Sequence, residues 1–418
     1  MSVRINPDIL VWARETAGLS VEDAADRLSL TTSAKSTAAE KLLALEAGEK
    51  EPTKGQLAAA ANAYKRPLLT FYMAEPPRTG PKVEDFRQSP DARGQRENAM
   101  LDALLRDIRA RQETVRDLLQ DEDEQGALSL VGSTSIENGV DAAVALLADV
   151  LGFDHTDLAL RNSDADTLFK RLRAATEKAG VFVLVIGDLG SHHSAIPASV
   201  FRGFAIADPI APFVVINAKD ARAARSFTLI HELTHILLGQ TGVSGTVSTA
   251  TPRNEKARVE RFCNDVAGEF LLPSDLFRKG FGEIERPHFA ATKAVIEGIA
   301  QKWSVSEPMV AYRLNRTGDI TDPTYDALRA DYYARWQAQL ARAKNDTGDK
   351  SGPNPYVIKQ FSLGNALVSL VHRHMRGRVL THTKAATLLG AKPNSVEPLL
   401  RKFETRRGSY LSGGNAAT

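Results

Sequence analysis

The sequence predicts a mostly helical α+β protein. Three observations lead there: many stretches carry apolar residues at helical spacing, one block of short apolar strands lies between residues 181 and 217, and Gly, Pro and Asp turns separate the two patterns. At 418 residues the chain is long enough for two to four domains, each with its own core. Its 43% hydrophobic and 25% charged content excludes a wholly disordered chain. No run of about 18 apolar residues occurs, which excludes a membrane-spanning helix. The N-terminal MSVRINPDILVWARETAG has no apolar signal-peptide core. Cys263 is the single cysteine, so no internal disulfide can form and a reducing cytoplasm is the expected compartment.

Residues 6–75 read as short helices sharing a small core. Asn6 caps the first, with Pro7 at its first position; Ser20 caps VEDAADRL; AAEKLLALEAGE follows the polar SLTTSAKST; and Pro52-Thr53 opens KGQLAAAANAY. Residues 76–98, rich in Pro, Arg and Asp, read as a linker. A mixed-charge helix over about 95–120 and an acidic DEDEQG loop come next. Helical patterns fill 137–180. The period then changes, and VFVLVI, FRGFAIAD and FVVINA read as strands. A helix runs from near Ala221 to about Leu238, and the glycine-rich GQTGVSGTVSTATP after it reads as a mobile loop. Further helices cover 254–271 and, as a pair around WSVS, 290–316. The expected organisation is an N-terminal helical domain (1–80), a linker and long helix (81–134), an α+β domain with a small sheet (135–345) and a basic helical C-terminal region (346–418).

Charge is uneven along the chain. Residues 1–80 balance 10 Lys/Arg with 10 Asp/Glu, whereas residues 350–418 carry 11 Lys/Arg against 2 Asp/Glu. Such a segment suits an anionic partner, nucleic acid or an acidic protein face, and equally a solvated helical surface.

The chemistry concentrates in FTLIHELTHILL, residues 227–238. His231 and His235 are four apart on a helix, so their imidazoles lie one turn apart on one face and can share an ion. Glu232 beside them is placed to act as a general base on a metal-bound water. Catalytic zinc takes three protein ligands, so a third is required, and the 254–271 helix offers Glu260 and Cys263. Glu260 is preferred. It shares a face with Asn264, an arrangement similar to that of metallopeptidases whose ligand glutamate is followed four residues later by a polar residue that orients a ligand histidine. His192 and His193 could assist in the cleft, while His372, His374 and His382 have no companion carboxylate or cysteine cluster.

With these stretches the chain resembles the ImmA/IrrE family of bacterial zinc metallopeptidases, fused to an N-terminal helix-turn-helix of the Xre type. FRGFAIAD, FVVINA, FTLIHELTHILL, VERFCNDVAGEFLLP and AQKWSVSEPMVAYRL carry the peptidase resemblance; WARETAGLSVEDAADRL and LEAGEKEPTKGQLAAAANAYKRPLLTFYMAEPP carry the other. The resemblance implies a gluzincin-like zinc endopeptidase with His231, His235 and Glu260 as ligands and Glu232 as base. It also implies a specific protein substrate, such as a transcriptional repressor or a toxin-antitoxin partner. The helix-turn-helix implies DNA binding and a dimer, with Lys35, Ser36, Thr37 and Lys41 at the start of the third helix as the expected contacts. Two departures stand out. Cys263 replaces the family's usual alanine before the helical asparagine, and the expected recognition helix follows a long loop (29–37) and is poor in the Arg, Asn and Gln that read bases.

Overall fold

The computed structural model describes residues 5–77, 84–85, 94–121, 126–153, 164–190, 194–244, 252, 254–274, 289–345 and 354–412. His192 and His193, residues 245–250 of the glycine-rich stretch and most of the 345–355 linker lie outside the described residues. The chain forms two compact units. One comprises residues 1–83, 89–109 and 188–196; the other comprises 84–88, 110–187 and 197–418.

In the first unit each helix starts where a side chain satisfies its exposed amides. Asn6 accepts from the Asp8 amide ahead of α1 (Pro7–Thr16), and Ser20 accepts from that of Asp23 ahead of α2 (Val21–Arg27). Capping boxes, Thr37 with Glu40 and Thr53 with Gln56, open α3 (Ala38–Glu46) and α4 (Lys54–Ala63). Leu10, Leu42, Leu57, Tyr64 and Phe71 fill the shared core. Arg14 crosses it to grip Glu46 with two bonds, Nε–Oε1 at 2.7 Å and Nη2–Oε2 at 3.1 Å.

The second unit is organised by one mixed sheet. Its strands are β1 (Glu84–Asp85), β2 (Phe182–Val185), β3 (Gly203–Ile206), β4 (Phe213–Ile216) and β5 (Gly242–Ser244), in the order β1-β5-β3-β4-β2. Pairing is antiparallel in the middle (β5-β3-β4) and parallel at both ends. Two strands correct the sequence expectation. β5 lies inside the stretch read as a mobile loop, because Val243 is buried and the segment pairs Gly203 with Ser244. β1 lies inside the expected linker and pairs with β5. The strands β2, β3 and β4 are buried along their whole length.

Around the sheet lie α6 (Val140–Leu151), α7 (Ala165–Lys178), α8 (Arg225–Leu237) and α9 (Glu255–Leu271), preceded in the chain by α5 (Gln95–Asp121). Then come α10 (Phe289–Trp303), α11 (Glu307–Arg316) and α12 (Asp322–Asn345), the last of which the apolar pattern does not announce. The C-terminal region contributes α13 (Pro355–Leu363), α14 (Asn365–Arg376), α15 (His382–Leu389) and α16 (Pro393–Ser412).

The outer side of β2 is closed by side chains. The buried guanidinium of Arg173, on α7, donates to the Val183 carbonyl of β2 and to the Phe361 carbonyl of α13, and its Nε lies 3.4 Å from Glu177 Oε1. Glu177 in turn accepts from the Asn365 amide at 3.1 Å. Gly364 lets the chain through, with φ at +79°, and a Cβ there would stand 2.1 Å from Glu177 Oε1. No described helix is long and apolar enough to cross a membrane.

Candidate metal centre

The centre sits where α8 and α9 pack against each other behind β3 and β5. Nearly the whole of α8 is buried, because Leu229, Ile230, Leu233, Ile236 and Leu237 are apolar on the faces that meet the sheet and the neighbouring helices. That leaves His231, Glu232 and His235 as ionisable groups held inside the molecule, which is costly unless they are partnered. The 3.6-residue period brings the two imidazoles to one face, and α9 supplies Glu260 opposite them.

The three donors converge. His231 Nε2 and His235 Nε2 are 3.2 Å apart, His235 Nε2 lies 3.2 Å from Glu260 Oε1, and His231 Nε2 lies 3.5 Å from Glu260 Oε2. Among the described residues these three form the group of His, Cys, Asp and Glu side chains able to hold a metal. Two imidazoles and a carboxylate form a donor set suited to zinc. The electrostatics also favour a cation. Burial opposes charge on His231, yet the carboxylates of Glu260 and Glu232, with Asn264, hold its pKa above the ordinary histidine value. Burial would raise Glu260, but the facing imidazoles bring it down to about 2. Positive charge is thus attracted to the point between these groups.

Asn264 is buried one turn beyond Glu260 and adds to the field on His231; its Oδ1 has no partner at full hydrogen-bond geometry among the described residues. Cys263 stands outside the cluster. It is fully buried against Val259, and burial pushes its thiol well above the ordinary value, which disfavours the thiolate a metal needs.

Glu232 is fully buried, and neither of its oxygens has a full hydrogen bond among the described residues. Burial pushes its carboxyl up to about 8; His231 and the Ser244 hydroxyl draw it back, and Glu260 adds to the rise. It is packed against the backbone of β3. A Cβ on Gly203 would lie 2.6 Å from Glu232 Oε1 and 2.8 Å from Thr228 Cγ2, so only glycine leaves room there.

Sequence reasoning missed Ser244. Its hydroxyl lies 3.1 Å from His231 Nε2, 3.4 Å from His235 Nε2 and 3.3 Å from Glu260 Oε1. The only hint was that Ser244 lies a few residues beyond the histidine helix, in a stretch too short to show a strand period. Beside the centre, a cavity of about 890 Å³ runs along the start of α8. Phe227, Met309, Tyr312, Tyr325, Tyr332 and Trp336 are among its walls, and the Phe227 ring lies 6.2 Å from that of His231.

The four expected DNA contacts sit together before and on α3. Lys35 is exposed at a short bridge between Ser33 and Ser36, Thr37 caps α3, and Lys41 donates to the Thr31 carbonyl. The C-terminal histidines are engaged elsewhere: His372 faces Glu404 at 2.8 Å, His382 faces Glu397 at 3.3 Å, and His374 meets the Leu370 carbonyl.

Searches of curated proteins and of solved structures gave no match to the chain. The family comparison is different: residues 189–315, the segment that holds β3, β4, α8, β5, α9 and α10, match the model of the Peptidase_M78 family, the IrrE N-terminal-like domain, so this part of the chain is similar to a peptidase-like domain.

Proposed function

We propose that the chain is a cytoplasmic regulator with a zinc endopeptidase centre that cuts a specific protein, a transcriptional repressor or a toxin-antitoxin partner. The observation that carries this reading is Glu232. A metal site that served only the fold would need its ligands and no further, uncoordinated carboxylate. Here a fourth ionisable side chain is buried beside them without a full hydrogen bond among the described residues, at a cost the fold has no reason to bear. His231, His235 and Glu260 would hold the zinc ion, which would supply Lewis acidity toward the scissile carbonyl. Glu232 holds and moves the proton at its carboxylate, taking it on during attack and handing it to the leaving amine. Gly203 fixes where that carboxylate stands. Asn264 helps to orient His231, and the aromatic cavity beyond Phe227 accepts apolar side chains of the substrate.

The purified full chain is expected to hold about one zinc per molecule and to cut a cognate partner at one or a few sites, with chelator stopping the cut. Casein should be cut slowly or not at all. Elemental analysis showing no transition metal in protein never exposed to chelator would defeat the reading, as would brisk chelator-sensitive digestion of unrelated proteins.

A second reading is a DNA-binding regulator or antitoxin whose metal centre is structural or latent. The depth of the centre favours it, since His235 and Glu232 are fully buried. In either reading the N-terminal helices act as an Xre-type helix-turn-helix, and Lys35, Ser36, Thr37 and Lys41 lie at the start of the helix that would face DNA. If six or more phosphates are contacted, affinity should fall by orders of magnitude between about 50 and about 200 mM salt. Electrophoretic shifts with Lys35→Ala and with the intact protein check this. Binding that ignores both salt and Lys35 assigns the contact to another surface.

A further inference from the structure

Ser244 completes a four-cornered cage. Among His231 Nε2, His235 Nε2, Ser244 Oγ and Glu260 Oε1 five separations lie between 3.1 and 3.4 Å, and His231 Nε2 meets the same carboxylate through its other oxygen, Oε2, at 3.5 Å. Five edges of this length are those of a tetrahedron whose fourth corner is the Glu260 carboxylate. With edges of about 3.3 Å its centre falls about 2.0 Å from every corner, which is the bond length zinc makes to nitrogen and oxygen. A hydroxyl present only to orient one histidine would face that ring's far nitrogen. This one faces the metal-binding nitrogens themselves.

We propose that Ser244 is the fourth ligand of the resting centre, standing at the corner that a catalytic zinc site leaves open for water. The inference rests on the metal-centre reading above. Its placement comes from the sheet: β5 is fixed by β3 on one side, where Ser244 pairs with Gly203, and by β1 on the other, where Gly242 and Val243 pair with Glu84 and Asp85. A neutral hydroxyl is a weaker donor than imidazole or carboxylate, so this is the corner that yields first when a competing oxygen arrives. The centre is then closed at rest and opened by rotation of one side chain or by a shift of β5.

The test uses the full chain loaded with cobalt(II), whose visible spectrum reports coordination, and acetohydroxamate as a probe that binds open metal positions. Ser244→Ala should retain one cobalt per chain, bind it about ten-fold more weakly, and respond spectrally to acetohydroxamate at concentrations at least about ten-fold lower than the unaltered protein needs, as expected when a blocking ligand of comparable weight is lost. Ser244→Cys should hold cobalt more tightly and show the near-ultraviolet charge-transfer band of a cobalt thiolate, a band absent from the unaltered protein although it carries Cys263. Identical spectra and identical acetohydroxamate responses for the unaltered protein and Ser244→Ala overturn the assignment of Ser244 while leaving the metal centre intact. A folded Ser244→Cys protein that binds cobalt without the thiolate band does the same. Failure of the unaltered protein to bind any metal overturns both readings together.

Discussion

Glu232→Gln is expected to keep its metal and lose cleavage of the cognate partner by a factor of roughly 10² to 10⁴, the usual contribution of a positioned general base. The amide has the same shape and fits against Gly203, so neither the fold nor the ligand set is disturbed, but it cannot take up a proton. His235→Ala and Glu260→Ala should instead lose the metal, because each removes one of three converging donors. Cys263→Ala should retain it, since the thiol is buried against Val259 outside the cluster. Elemental analysis beside a cleavage assay separates the classes. Metal loss in Cys263→Ala, or metal retention in Glu260→Ala, would show that the third ligand has been misassigned. Full activity in Glu232→Gln would leave the buried carboxylate without a catalytic role.

Arg173→Ala is expected to destabilise the second unit by about 3–5 kcal/mol, the penalty for breaking a buried ion pair and stranding one charge. In a unit of this size that corresponds to a melting temperature roughly 5–8 °C lower. The substitution leaves two backbone carbonyls, Val183 and Phe361, without their donor and removes the counter-ion of Glu177. Arg173→Lys should rescue little, because one ammonium cannot span all three acceptors. The pH dependence has a definite sign. Burial already holds the Glu177 carboxyl above the ordinary value, and loss of Arg173 would raise it further. In the window between the ordinary value and the raised one the folded state then binds more protons than the unfolded state, so the stability of the variant should rise as pH falls from neutral toward the ordinary carboxylate value. Thermal melts across that range check it. A variant within 1 kcal/mol of the unaltered protein, or one whose deficit grows on acidification, contradicts the role given to the pair.

Much of this architecture was legible because local signals and tertiary structure agree. Asn6-Pro7, Ser20, Thr37 and Thr53 mark helix starts through bonds made within three residues, and such signals survive in a bare sequence. His231, His235 and Glu260 were readable for a related reason, since helical periodicity fixes which residues share a face. What stayed hidden depends on partners distant in the chain. β5 is three residues long and owes its existence to β3, some forty residues earlier, and β1 is a two-residue strand in a charged segment. Ser244 could not be singled out until that pairing placed it. The same holds for Arg173, an ordinary surface-type residue in sequence, whose burial depends on Phe361 from a region that reads as separate. In α12, Asp322-Pro323 is a usable start signal, but the charged and apolar residues beyond it are spread around the helix and give no stripe to follow.

The burial of the ligands also bears on which ion the protein ends up with. Solvent reaches His231 and Glu260 only at their edges, and His235 not at all. An ion inside such a cage leaves at the rate at which the surrounding packing opens, so its residence time is set by motions of the protein and not by the strength of its bonds alone. Equilibrium preference among divalent ions follows an order that puts copper above zinc for nitrogen and oxygen donors. A slow-exchanging centre escapes that order. Its occupant is decided while the chain folds, by the ion then available, and chelator added later should strip it over the timescale of local unfolding. Metal identity in a centre of this kind would then be a record of where and when the chain folded.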